Sequence, residues 1–349
     1  MQKERNRKFA PLNQWYIAAF SHEVTRSPIE RWILNEPVAL YRLNNGKAVA
    51  LDGRCPHHYF PLGKSHLVGD NLQCAYHGMT FAPDGVCVDM PTVKKPPAAC
   101  NIRAYPVEER WQWIWIWPGD PDKADPELIP HDASMRLEDP AFDTAPLWHH
   151  EIPARYQLLH DNLLDLSHLE FLHGATIGSQ KISATEEQRE HGDRTLTSRR
   201  IVRNIEIPPQ LVARVNNYEG KIDREFSLTF YPPCLYAGYE TFRAASGQSG
   251  EDGRSFGTAI FFHAITPARR NSLHYFFTRG RDFTTDESTT AAGMKVLESA
   301  IKEDVYATVE VERMISLSED LPREVLLSSD KTLALGRRML ENMILEESD

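Results

Sequence analysis

The chain contains no uninterrupted run of 18 apolar residues, so no part of it reads as a membrane-spanning helix. Its opening segment, 1–8, is basic and polar and lacks the apolar stretch of a signal peptide. Long basic tracts are also missing. The 39 Lys and Arg against 49 Asp and Glu leave a net charge of −10, which argues against a nucleic-acid partner. Cysteine is scarce and odd in number, five in 349 residues. That excludes a disulfide framework and fits free thiols in a reducing, cytoplasmic setting. The string Cys-x-x-Cys-His is absent, which excludes a c-type haem. Neither an internal repeat nor a low-complexity tract is present. At 41% hydrophobic residues the chain can fill the cores of two domains.

What is present is more specific. Cys55-Pro56-His57 and Cys74-Ala75-Tyr76-His77 pair one thiol with one imidazole twice. Two thiolates and two imidazoles on paired loops suit an asymmetric [2Fe–2S] centre of the Rieske type, with Cys₂ on one iron and His₂ on the other. Neutral imidazoles bring less negative charge than thiolates, so the potential rises to roughly −150 to +300 mV. A Cys₂His₂ zinc site takes the same atoms, but usually from a Cys pair and a separate His pair. The mixed halves favour iron. Cys87, Cys100 and Cys234 are left as ordinary buried thiols. The centre passes single electrons, and the chain has no nicotinamide or flavin fingerprint of its own, so a separate reductase is expected.

The first third reads as short strands and turns. Pro37–Arg42 and Ala48–Leu51 flank the turn Asn44-Asn45-Gly46, and Pro83-Asp84-Gly85 marks another hairpin. Trp111–Trp117 alternates Trp with Gln or Ile, which predicts a strand buried on both sides with four tryptophans on one face. Pro118-Gly119-Asp120-Pro121 ends it, and an irregular connector runs to about Pro146. A helix is expected near Tyr156–His173, strands around Thr195–Ile207, Glu225–Tyr231, Thr258–Ile265 and Ser272–Thr278, and helices over Glu287–Ile315 and Lys331–Leu345. Strands followed by a long helix predict an α+β arrangement, an antiparallel sheet against helices. The expected division is 1–145, with an all-β core over about 14–120, and 146–349.

The segment from Leu158 to His173 places three His and two Asp among leucines. Such a histidine is either a satisfied core residue or a ligand. His168 and His173 could give two imidazoles to a non-haem Fe(II), which takes two His and one carboxylate on one face. Five residues of α-helix turn roughly 140°, so the helix must end or bulge between them. Asp304 falls on the apolar stripe of the long helix with Leu297, Ile301 and Val305. It is either the missing carboxylate or a core-edge acid paired with Arg or Lys. Glu303 beside it is expected to face solvent.

These features together resemble the Rieske non-haem iron oxygenases, specifically their terminal oxygenase components, and most of all the branch of vanillate O-demethylase, toluenesulfonate methyl-monooxygenase and dicamba monooxygenase. Further matching segments are Trp15–Ala19, Trp115–Pro121, Asp161–His168, Thr176-Ile177-Gly178, His274–Phe277 and Glu303-Asp304. The resemblance implies a helix-grip catalytic domain and iron ligands at His168, His173 and Asp304. It implies that Asp165 bonds His168 on its own chain and the matching Rieske histidine, His77, on a neighbour, so a head-to-tail homotrimer. A charge paired with a nearby basic group is the plainer reading of Asp165. Asn162 either lines the iron pocket or satisfies backbone groups. His263 matches a substrate-contacting position in dicamba-type enzymes; a strand histidine bonded to a backbone carbonyl is the alternative. One departure stands out: His58 occupies a position where the family commonly has Arg, and a solvent-facing loop residue accounts for it equally.

The implied activity is O₂-dependent monooxygenation, an O-demethylation or methyl hydroxylation in the catabolism of a small aromatic acid. Electrons would come from NAD(P)H through a reductase carrying flavin and a plant-type [2Fe–2S] cluster. The rival readings are a ring dihydroxylase, an oxygenase of a non-aromatic substrate, and a Rieske electron carrier with no catalytic iron.

Overall fold

The computed structural model describes residues 9–347 except 92, 132–134, 141, 143–144, 179–180, 248–252, 284–286, 319 and 321–322. The basic segment 1–8 therefore lies outside the described residues. The chain divides into two compact units, Met1–Pro130 with Thr266–Leu273 and Met343–Asp349, and His131–Ile265 with His274–Asn342. No helix among the described residues is long and apolar enough to cross a membrane.

The strands of the first unit are β1 (Tyr16–Phe20), β2 (Ile29–Ile33), β3 (Glu36–Arg42), β4 (Ala48–Asp52), β5 (His66–Val68), β6 (Asn71–Gln73), β7 (Thr80–Phe81), β8 (Cys87–Asp89), β9 (Ala104–Tyr105), β10 (Val107–Arg110) and β11 (Trp113–Ile116). They form sheets in the orders β1-β11-β10, β2-β3-β4-β9 and β5-β6-β7-β8. Buried Tyr41, Leu51, Leu72 and Phe81 share one core with Cys55 and Cys74. The apolar sides of two sheets thus hold the two cysteine loops. In β11, Trp113, Ile114, Trp115 and Ile116 are all at most 1% exposed, so both faces are buried as the alternation predicts. Trp111 is different. It sits in the turn before the strand with φ 58°, and still packs its ring 6.0 Å from that of Trp113.

The second unit contains β12 (Ala145–Ile152), β13 (Gln188–His191), β14 (Leu196–Ile205), β15 (Ile222–Tyr231), β16 (Leu235–Ala244), β17 (Ser255–Arg269) and β18 (Ser272–Arg281), with helices α1 (Tyr156–Leu164), α2 (Glu287–Ser316) and α3 (Lys331–Glu346). The strands form one seven-stranded sheet, β12-β18-β17-β16-β15-β14-β13. Its pairs from β13 to β17 are antiparallel. The α+β class is as expected. Three strands carry no period-two signal. β16 opens with four consecutive buried residues and includes Gly238. β13 is an exposed edge of polar residues paired with β14. β12 carries the polar run His149-His150-Glu151.

α2 packs on α1. Its buried row Ala300, Asp304, Thr308 and Glu312 repeats every four residues, the spacing that keeps side chains on one helix face. The polar members are satisfied. Thr308 Oγ1 donates to the Asp304 carbonyl at 2.8 Å, and Glu312 accepts from Arg155 Nε at 2.7 Å. The expected helix Tyr156–His173 is corrected: α1 ends at Leu164, where Asp165 turns to φ −116°, ψ 90°.

Candidate metal centres

The two cysteine loops are built alike. In the first, the amide of Tyr59 donates to the carbonyl of Cys55 at 2.8 Å; in the second, that of Gly78 donates to Cys74 at 3.0 Å. The fifth residue of each loop has positive φ, 58° at Tyr59 and 76° at Gly78. Glycine removes the cost of that conformation in the second loop. A Cβ there would also come within 3.0 Å of Pro91. The loops turn their thiols inward and their imidazoles outward. Cys55 and Cys74 are 1% and 2% exposed, whereas His57 and His77 are exposed, with ring centroids 4.6 Å apart. Burial pushes the Cys55 thiol up to about 11, and bound metal would displace that proton. Two inward thiols and two outward imidazoles fit a [2Fe–2S] centre with chemically distinct ends. None of the five cysteines forms a disulfide. His58 is solvent-facing, its ring 4.0 Å from that of His57.

The second cluster depends on the break after α1. Asp165 caps the short 3₁₀ turn Leu166–Glu170, its carboxylate accepting from the Ser167 amide and hydroxyl, both at 2.9 Å. A further turn follows, closed by the Thr176 and Gly178 amides on the His173 carbonyl at 2.9 and 2.8 Å. Gly178 admits no side chain, because a Cβ would lie 2.6 Å from that same carbonyl oxygen. These turns cancel the i to i+5 divergence. The His168 and His173 rings lie 5.1 Å apart, and Asp304 Oδ1 is 3.4 Å from His168 Nε2 and 3.0 Å from His173 Nε2. One ligand atom from each of the three residues falls within 4.8 Å of the others.

The protons show what the cluster is for. His168 Nδ1 faces the Asp165 carbonyl at 2.5 Å, and a carbonyl only accepts, so Nδ1 carries the hydrogen. His173 Nδ1 likewise faces Glu303 Oε2 at 2.7 Å. In neutral imidazoles both Nε2 lone pairs then point at a carboxylate oxygen. Three electron-pair donors without a cation repel. Burial alone would lower His173, but Asp304 and Glu303 overcome it and raise its pKa. Burial opposes ionisation of Asp304, and the two histidines overcome that and hold it below the usual carboxylate range. A divalent cation can take the place of the captured proton, and two His with one carboxylate suit non-haem Fe(II).

One sequence expectation is corrected here. Glu303 turns toward the cluster rather than outward: its half-buried carboxylate accepts from His173 Nδ1 and Thr176 Oγ1, both at 2.7 Å. Asp165 meets His168 through its carbonyl, while its carboxylate is engaged with Ser167. Asn162 has a buried Oδ1 without a hydrogen-bond partner. The third histidine, His160, stays apart. It is a core residue on Tyr236 Oη at 2.5 Å, lowered by burial to about 3.

A cavity of about 120 Å³ lies beside the cluster, walled mainly by Leu163, Phe226, Leu228, Phe261, Phe277 and Leu297. Among the described residues no Lys or Arg lines it. His263 does, and its partner is a side chain, Tyr275 Oη at 2.7 Å from Nδ1, rather than a backbone carbonyl. Burial lowers His263 to about 4 and raises Tyr275 well above its ordinary value. Both are neutral at pH 7. If the Tyr275 proton goes to Nδ1, the His263 hydrogen sits on Nε2 and becomes available to the cavity. Glu303, Thr176 and Tyr275 were not singled out by spacing; the only signal was their place in segments carrying the resemblance.

An iron–sulfur domain joined to an α+β domain with a His/His/Asp cluster at the head of an apolar cavity defines a non-haem iron oxygenase component. Residues 14–106 match the Rieske [2Fe-2S] domain, and residues 152–346 match the vanillate O-demethylase oxygenase C-terminal domain. A toluene-4-sulfonate monooxygenase system iron–sulfur subunit of Comamonas testosteroni is 34% identical, with 96% of this chain and 97% of that one covered. The dicamba O-demethylase oxygenase component of Stenotrophomonas maltophilia is 32% identical, with 95% and 97% covered. Among solved structures, dicamba monooxygenase bound to 3,6-dichlorosalicylic acid superposes with a TM-score of 0.87 at 30% identity over 97% of this chain and 98% of that one. The chain belongs to the family of Rieske non-haem iron oxygenase components that carry the vanillate O-demethylase C-terminal domain. It is a monooxygenase that uses a Rieske cluster and a non-haem iron, and it works as one component of a multicomponent system.

Proposed function

We propose that Cys55, His57, Cys74 and His77 hold the [2Fe–2S] cluster and that His168, His173 and Asp304 hold the mononuclear Fe(II), in domains spanning 1–145 and 146–349. The observation that carries this is the convergence of two imidazole lone pairs and a carboxylate oxygen beside an apolar cavity. When bound, the cluster supplies single electrons and the mononuclear iron supplies dioxygen activation. The protein's own residues orient and exclude. Glu303 and the Asp165 carbonyl fix the two ring planes and tautomers. Phe226, Leu228, Phe261 and Phe277 keep water from an aromatic substrate. His263, neutral and held by Tyr275, offers one hydrogen bond to it.

The substrate is a small aromatic acid whose methoxy or methyl carbon is hydroxylated. Relatives named for toluene-4-sulfonate and vanillate support an aromatic anion. Electrons come from NAD(P)H through a reductase bearing flavin and a plant-type [2Fe–2S] cluster. The working form is a cytoplasmic homotrimer in which Asp165 links His168 to the neighbouring chain's cluster. Exposed His57 and His77 suit transfer across a subunit contact, and five cysteines outside any disulfide suit a reducing compartment.

Iron and acid-labile sulfide counted on anaerobically purified protein test the assignment. About three irons and two sulfides per chain are expected. The variant His168→Ala should lose about one iron and no sulfide. Zinc without sulfide would overturn the reading.

A further inference from the structure

A second cavity, of about 300 Å³, adjoins the first and shares with it the walls Ile177, Glu240, Phe261 and Leu297. The same faces of three elements run through both. Along β18, Phe277 lines the first cavity, and Arg279 and Arg281, two and four residues on, line the second; alternate strand residues share a face. Along β17, His263 and Phe261 give way to Phe261 and Ala259. Along α2, Leu297, Ile301 and Asp304 give way to Gly293 and Leu297. The trough between sheet and helix is therefore continuous in its lining and changes from apolar to cationic.

Three arginines line the second cavity: Arg214, Arg279 and Arg281. Arg214 is anchored, donating to the carbonyls of Phe256 and, at 2.9 Å, Gly257, and lying over the Phe283 ring 3.4 Å from its centroid. Its burial lowers it to about 10 despite Glu240 and Asp282, so it stays charged with part of its desolvation uncompensated. Arg279 Nη1 points to Met294 Sδ at 3.2 Å. Glu240 accepts from Arg224 Nε at 2.8 Å, and Asp282 accepts from the Thr258 amide at 2.6 Å.

Among the described residues, the cavity beside the His/His/Asp cluster offers an anion a neutral histidine and no cationic side chain, and burying a carboxylate on such terms is costly. We infer that the substrate spans both cavities, its reacting methyl or methoxy end beside His168, His173 and Asp304 and its carboxylate or sulfonate among Arg214, Arg279 and Arg281, with Phe261 and Leu297 gripping the part between. The substrate class is thus an aryl methyl ether or methylarene whose anionic group stands off the ring on a linker. Two to four residues of strand put that group roughly 7–14 Å beyond Phe277. This rests on the proposed iron site.

Titration calorimetry on the full, iron-loaded chain tests it, with 4-methoxybenzoate, 3-(4-methoxyphenyl)propanoate, 5-(4-methoxyphenyl)pentanoate and their primary amides. The long acid should bind at least about tenfold more tightly than its amide, the scale of one charge-assisted hydrogen bond. In Arg279→Gln/Arg281→Gln that preference should collapse with iron and sulfide unchanged. Gly293→Leu is a second route, since a Cβ there meets nothing nearer than Arg279 Nη1 at 4.0 Å. It should weaken the long acid and leave 4-methoxybenzoate unaffected. Equal binding of acid and amide, no binding by any acid, or a preference that survives both variants would overturn the inference. Full iron content in His173→Ala would instead overturn the iron site and leave the anion preference standing.

Discussion

Replacing Glu303 by Gln should loosen the mononuclear iron and leave the cluster alone. The carboxylate accepts two hydrogen bonds of 2.7 Å, from His173 Nδ1 and Thr176 Oγ1, and the His173 side chain is 1% exposed. Glutamine keeps the volume and one acceptor but removes the charge, and a charge-assisted bond is about twice as strong as a neutral one. Loss of the outer partner of a metal-binding histidine typically lowers metal affinity about 10–100-fold, or about 1.4–2.8 kcal/mol. Glu303→Ala should do more, because two donors are left unmet in a largely buried place, at about 1–3 kcal/mol of stability. The assay is anaerobic competition with a graded chelator series, reading iron, labile sulfide and cluster absorbance on the same samples. Glu298→Gln is the control: it lies on the same helix, paired with Lys302 at the surface. Glu303→Gln protein that holds iron as tightly as the parent and turns over at the parent rate would refute the reasoning.

Arg224, fully buried between Glu240 and the carbonyls of Ile177 and Gly178 at 2.8 and 3.0 Å, should cost about 3–5 kcal/mol when changed to Met. Urea titration of Arg224→Met measures this, and an unchanged midpoint would contradict it. Tyr275→Phe frees the His263 tautomer, so KM for an aromatic acid should rise several-fold with kcat and iron content held; steady-state kinetics beside metal analysis decides. His160 is a base lowered by burial to about 3 from an ordinary 6.5. As pH falls below 6.5 the unfolded chain takes up its proton first, so stability present above pH 6.5 is lost down to about pH 3, at about 1.4 kcal/mol per pH unit. Denaturation series at pH 7, 6 and 5 should show a shallower loss in His160→Gln, and parallel slopes would dismiss the idea.

Legibility followed period and ligand chemistry. β3, β4 and β11 announce themselves through short apolar or alternating runs, and both cysteine loops through spacing. β16 does not, because its first half is buried on both faces and a continuous apolar run has no preferred period. α1 ends earlier than its run of leucines predicts. Nothing in Leu163–Leu169 is a breaker residue; the turn comes from Asp165 bonding forward to Ser167, a local competition with the helix that Asp supports and does not compel. Asp304 was legible as a charge on an apolar stripe. Glu303 was not, since one residue along a helix turns about 100°, and that rotation suggests opposite faces when no partner is in view.

The rotation is what makes the pair useful. His173 lies against α2 edge-on, so its two nitrogens meet two successive residues of the helix, Nε2 with Asp304 and Nδ1 with Glu303. One acid therefore takes part in the ligand cluster while the next orients the ring that joins it there, and neither can move without the other because a single helical turn carries both. Shifting the pair by one residue would put both acids out of register with the imidazole. An alanine inserted between Ile301 and Lys302 should accordingly remove the mononuclear iron while sulfide content stays at two per chain, about the value for one [2Fe–2S] cluster. Iron content near three per chain in that variant would mean that the register of α2 does not set the site.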